Sequence, residues 1–128
     1  MTFAKWVFTL GGLWGVLIIG PLFFLESHVQ SMTGAPISHP DIYYGFVGST
    51  FAWQLAYLVI GRNPGPYRPF MLLGALGKLI YFGSAWTLYA QGRIPMTVPA
   101  LASPDLLLAI LFVAAWVKTR PPTSSSAL

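Results

Sequence analysis

From Trp6 to Leu25 the chain runs for twenty residues without a charged side chain. A helix of that length rises about 30 Å, the thickness of a bilayer's hydrocarbon core. Two further runs follow. Ile42–Ile60 carries no charge, and Phe70–Ala90 carries one, Lys78. Charged residues make up 8% of the 128 and apolar residues 55%. A soluble domain has roughly 25% charged residues, so an ordinary soluble fold is excluded. A disordered chain, poor in apolar residues, is excluded as well. The expectation is an all-α membrane protein, a four-transmembrane-helix antiparallel bundle in one domain over residues 1–120.

Each span has its own punctuation. The first follows a short start with one cation, Lys5, and no A-x-A-like site comes after it, so it reads as an uncleaved helix that Pro21 bends near its far end. Ser38-His39-Pro40-Asp41 opens the second, with a capping serine three residues before an acid and a proline in the first turn. Pro69 opens the third. The fourth, Leu106–Val117, has only twelve apolar residues, about 18 Å of helix. Ser103-Pro104-Asp105 reads as its start and Pro121-Pro122 as its stop, which gives a span of about 105–118. Residues 121–128, rich in Ser and Pro, read as a disordered tail. The turn-forming Gly61–Arg68 segment predicts that spans two and three form a tight antiparallel pair.

Charge sets the direction. With the N-terminus in the cytoplasm, the inner side holds Lys5, Arg62, Arg68, Lys118 and Arg120 and no acid. The outer side holds Glu26, Asp41, Asp105 and a single cation, Arg93. This is the positive-inside pattern, and it places both termini in the cytoplasm. Trp6, Tyr67 and Trp116 fall at the inner surface, and Tyr43, Tyr44, Trp86 and Tyr89 at the outer one, as interfacial aromatics do. The basic residues are dispersed, so the net charge of +4 reflects topology and no nucleic-acid partner is expected.

Lipid gives helices no hydrophobic reason to associate, so small residues that let backbones approach mark the packing faces. They are Gly11, Gly12 and Gly15 on span one, Gly48, Ala52 and Ala56 on span two, and Gly74 and Gly77 on span three. Packing within the bundle is the plainer use of these faces, and a homodimer through span one is the alternative.

Lys78 is the most informative residue. It lies nine residues from Pro69 and twelve from Ala90, near mid-span, where a cation costs at least about 2.5–3.5 kcal/mol. Span two offers Thr50, Trp53, Gln54 and Tyr57 on one helical stripe, and Tyr81 shares a face with Lys78. Side chains lean toward the N-terminus of their helix, so Gln54 and Lys78, on antiparallel spans, lean toward each other. A polar cluster of Lys78, Gln54, Tyr81 and Thr50 or Tyr57 is expected. It lacks an acid, because all three carboxylates read as lying near the outer surface. Lys78 must then lose its proton on burial, face water, or meet an anionic ligand or a partner's acid.

On the outer side, Glu26, His28, His39 and Asp41 could gather if spans one and two are neighbours. Imidazole with carboxylate suits zinc or a similar divalent metal, but the spacing matches no ligand motif. Two exposed histidines with capping acids are the plainer reading, and the cofactor is left unknown. The chain has no cysteine, which removes disulfides, thiolate metal sites and C-x-x-C redox chemistry. No nucleophile with its base and orienting group stands out, and no phosphate-binding loop.

The stretch HPDIYYGFVGSTFAWQLAYLVIGRNPGPYRPF, continuing into MLLGALGKLIYFGSAWTLYAQGRI, resembles small bacterial inner-membrane proteins of four spans and uncharacterised function. The similarity covers about half the chain and implies a location in the bacterial inner membrane but no activity. Small multidrug exporters, also of four short helices, place an acid in the first span, and Trp6–Leu25 has none. The leading expectation is a non-enzymatic accessory or interaction subunit, with the bilayer and a membrane-protein partner or second copy as its company. A small carrier or ligand-binding protein using Lys78 and Gln54 is the alternative. A membrane enzyme acting on lipid or quinone through His28 and His39 is the third.

Overall fold

A computed structural model describes residues 2–34 and 36–121, and the 122–128 part of the expected tail lies outside the described residues. Helices make up most of the described chain, and no strand occurs among the described residues. The elements are α1 (Thr2–Ile19), a 3-10 turn (Gly20–Phe23), the short α2 (Glu26–Thr33), α3 (Pro40–Arg62), α4 (Arg68–Ala90) and α5 (Thr97–Lys118).

Three segments are long and apolar enough to cross a membrane: Thr2–Phe23, Arg68–Ala90 and Thr97–Lys118. Their outward faces are apolar too. Leu10, Leu13, Trp14, Leu17 and Ile18 on α1 are exposed, and so are Leu72, Leu73, Leu76, Leu79 and Ile80 on α4. Helices that are hydrophobic all round belong in lipid, and no water-soluble monomer tolerates so much contiguous apolar surface. α3 is as long as α4 but more polar, carrying Asp41, Ser49, Thr50, Gln54 and three tyrosines.

The helices start and stop for local reasons. Pro40 and Pro69 stand in the first turns of α3 and α4, where the missing N–H has no intrahelical partner to lose. Pro21 sits in the first turn of the 3-10 segment that ends the first span. Gly34 closes α2 in the left-handed conformation (φ 73°), its N–H bonded to the Gln30 carbonyl.

α5, expected as the fourth span, corrects the sequence reading. It begins at Thr97, not at 105, and runs 22 residues, with the highest mean hydropathy of the three candidate spans, 2.0. Pro99 is its first-turn proline. Pro104 lies inside the helix, where it deprives the Ala100 carbonyl of its donor. One turn earlier, the Ser103 hydroxyl donates to the Pro99 carbonyl at 2.9 Å. Membrane helices accommodate such interior prolines through neighbouring groups. Asp105 is therefore eight residues into α5, away from its end.

Packing also departs from the expected pairing. α1 lies against α3, α4 lies against α5, and α1 meets α5 to join the two pairs. α3 and α4 follow one another in the chain across a short turn yet touch only sparsely. The glycines explain the α1–α3 seam. A Cβ on Gly12 would come within 2.8 Å of Leu58 and 2.9 Å of the Gln54 carbonyl, and one on Gly61 would collide with Thr9. Gly11 turns the other way, toward Leu108 and Phe112 of α5. The small-residue face of span one is thus consumed within the chain.

The core is aromatic and lies toward the end where α1 begins and α5 finishes. Phe8 stacks on Phe112 with ring centroids 4.2 Å apart, and Tyr57 meets the same Phe112 edge-on at 4.9 Å. Ala4, Ile60, Met71, Ala75, Ala109 and Ala115 complete the cluster. Gly74 lets Tyr57 and Phe112 close over α4, since a Cβ there would lie 2.8 Å from Tyr57.

Candidate functional site

Lys78 is buried, and its ammonium stands on this aromatic core, 5.4 Å from the Tyr57 ring centroid and 5.8 Å from that of Phe112. Both faces attract a cation, and more strongly where water is excluded. The acid that the sequence reading lacked is present. The Lys78 Nζ donates to Asp105 Oδ1 at 3.4 Å, an ion pair between α4 and α5. Of the two side chains, Lys78 is 9% exposed and Asp105 24%. The pair is closed on the lysine side and partly open on the carboxylate side.

Gln54 is buried but works elsewhere. Its Nε2 donates to the Thr50 carbonyl at 3.0 Å, one turn back on α3. Its side-chain carbonyl end fills the space where a Cβ on Gly15 of α1 would stand. No conventional donor reaches Gln54 Oε1 among the described residues. A Cα–H of Gly15, unscreened by any side chain, is the weak donor that faces such an oxygen. Of the expected cluster, then, Tyr57 reaches Lys78. Gln54 and Thr50 form a local arrangement against α1. Tyr81 stacks on Phe46 of α3 at 5.8 Å and 27°. Asp105, Phe112 and Phe8 are the members the sequence reading missed.

The segment joining α1 to α3 behaves as structure. The Tyr44 hydroxyl donates to Glu26 Oε1 at 3.0 Å, and the Tyr43 hydroxyl donates to the Leu22 carbonyl at 2.7 Å. These bonds tie the 3-10 turn and α2 to the start of α3. His28 and His39 are exposed. No group of three or more His, Cys, Asp or Glu able to hold a metal forms among the described residues, so Glu26, His28, His39 and Asp41 do not assemble as a ligand set.

With this geometry in hand, comparison with known family models, curated proteins and solved structures gives no match. An ion pair over an aromatic floor can fix two helices in register, or can exchange its internal partner for a ligand or proton. The partly exposed carboxylate is the member through which exchange would begin.

Proposed function

We propose that the chain is a four-span protein of a bacterial inner membrane, with both ends in the cytoplasm, acting as a non-enzymatic accessory or interaction subunit. Several features support four spans. α3 lies along α1, matches α4 in length and exposes Ile42, Phe46, Leu55 and Val59. The gathering of five cations at one end supports the orientation.

The observation that carries the functional reading is the Lys78–Asp105 pair. The one charge in the middle of α4 finds its counter-charge inside the chain, so it needs no ligand and no partner's acid. Gln54 is likewise engaged with its own helix and α1. Lys78, Asp105 and the Gln54 amide nitrogen are thus engaged within the bundle. What is left for the outside is its lipid-facing surface.

A specific observation favours a second reading, a small carrier or ligand-binding protein at Lys78 and Asp105. The Asp105 side chain is a quarter exposed, and its contact with Lys78 is a single one.

Purified protein in sealed proteoliposomes, given a proton gradient and then a chloride gradient, separates the two. The subunit reading expects both gradients to persist as in protein-free vesicles. A flux that disappears in Lys78→Met and in Asp105→Asn would overturn it and establish the carrier.

A further inference from the structure

Five of the seven basic residues, Lys5, Arg62, Arg68, Lys118 and Arg120, gather where α1 starts, α3 ends, α4 starts and α5 ends. Contacts between the helices hold these four ends together. The Lys118 ammonium lies 4.6 Å from the Phe3 ring centroid, Gly61 abuts Thr9 and the Lys5 carbonyl, and Arg68 reaches Trp116. The three acidic side chains, Glu26, Asp41 and Asp105, all lie elsewhere along the helices. This end therefore carries a concentrated positive charge with no Asp or Glu side chain to answer it.

Two of the cations are arranged around one ring. Arg68 donates through Nε to the Trp116 carbonyl at 2.9 Å and lays its guanidinium over the Trp116 indole, 4.3 Å from the centroid. The Arg120 guanidinium lies 6.0 Å from the same ring. Arg68 is half-buried and fixed by its Nε, and its two terminal nitrogens make no hydrogen bond to the chain among the described residues. Guanidinium is the side chain best suited to phosphate, because its planar fork meets two oxygens at once. An indole beside it sits at the depth where lipid headgroups begin.

We infer that the Arg68–Trp116–Arg120 arrangement is a headgroup site for an anionic phospholipid, with Lys5, Arg62 and Lys118 adding to its field. Basic pockets between membrane helices take acidic lipid headgroups in this way. The bound group is the phosphate diester of a lipid of the surrounding leaflet, held by charge-assisted hydrogen bonds from the two arginines.

The test is native mass spectrometry of the protein released from nanodiscs of equal phosphatidylglycerol and phosphatidylcholine. Phosphatidylglycerol should remain bound in preference to phosphatidylcholine. The preference should fall roughly fivefold in Arg120→Gln and roughly twentyfold in Arg68→Gln/Arg120→Gln, the scale of one surface cation's attraction to an acidic leaflet. Arg120 makes no side-chain hydrogen bond to the chain among the described residues, so Arg120→Gln leaves the fold intact and reads binding alone. Arg93→Gln, at the other end, should change nothing. Retention of the two lipids in equal measure would overturn the inference, as would an undiminished preference in Arg120→Gln. Displacement of the lipid by millimolar inorganic phosphate would also overturn it, by revealing a site for a soluble anion.

Discussion

Gly15 and Gln54 share one volume: the amide of Gln54 on α3 stands where a side chain on α1 would begin. Gly15→Ala must push that amide away and break its bond to the Thr50 carbonyl. The expected cost is about 1–3 kcal/mol, the range for overpacking a close-fitted interior. Gly15→Ala/Gln54→Ala should recover much of it, because the shorter residue vacates the space. Gly48→Ala and Gly77→Ala meet nothing within 4 Å and should leave the melting temperature in mild detergent nearly unchanged.

Lys78→Met leaves Asp105 without its counter-charge, and Asp105→Leu leaves Lys78 in the same state. Removing one member of a fully buried pair costs about 3–5 kcal/mol. Because Asp105 is partly exposed, about 2–4 kcal/mol is expected here for either single change. Lys78→Met/Asp105→Leu should melt at or near the parent temperature, since matched apolar groups replace a pair whose desolvation offsets its attraction. A double variant as unstable as the two single losses added together would show that the two residues do not act together.

Tyr43→Phe removes the bond to the Leu22 carbonyl that ties the 3-10 turn to α3. The loss should be about 1 kcal/mol, the usual net value of such a bond. Backbone amides between Gly20 and Glu26 should exchange with deuterium faster as that segment is freed. Tyr44→Phe, whose bond to Glu26 is exposed, should have a smaller effect.

The lack of cysteine makes topology directly measurable. Asn63→Cys, in the α3–α4 turn, should react with a membrane-impermeant maleimide only from the cytoplasmic side. Ser27→Cys and Gly92→Cys should react only from the opposite side. Labelling of Asn63→Cys and Gly92→Cys from one side would remove a crossing by α4.

Most of the helical plan is written in the chain. The runs that became α1, α3 and α4 are long, nearly free of charge and opened or bent by prolines whose positions follow from the missing N–H. α5 was obscured by its own chemistry. Pro104 followed by Asp105 has the composition of a first turn, and only the surrounding protein and lipid make an interior proline tolerable there. The signal available was Pro99, which fits a first turn equally well and gives a helix of full spanning length. Misplacing that start moved Asp105 toward the outer surface and left Lys78 without a partner on paper. Gln54 failed for a different reason. Gln54 and Tyr57 sit on one stripe of α3, yet a stripe that faces a junction of helices serves several neighbours. Tyr57 turns to Phe112 and Lys78, and Gln54 to Gly15. Which neighbour each residue meets depends on α1 lying beside α3, and the short α3–α4 turn suggested otherwise.

The counter-charge of Lys78 lies 27 residues further along the chain. During synthesis α4 is therefore complete, and carries an unanswered cation, before the residue that neutralises it exists. α4 also has the lowest mean hydropathy of the three candidate spans, 1.3. Entering lipid together, as a hairpin closed by residues 91–96, lets Asp105 lower the cost that Lys78 imposes. A chain cut before Asp105 should therefore be retained more poorly in the bilayer than one cut after α5, as read by carbonate extraction.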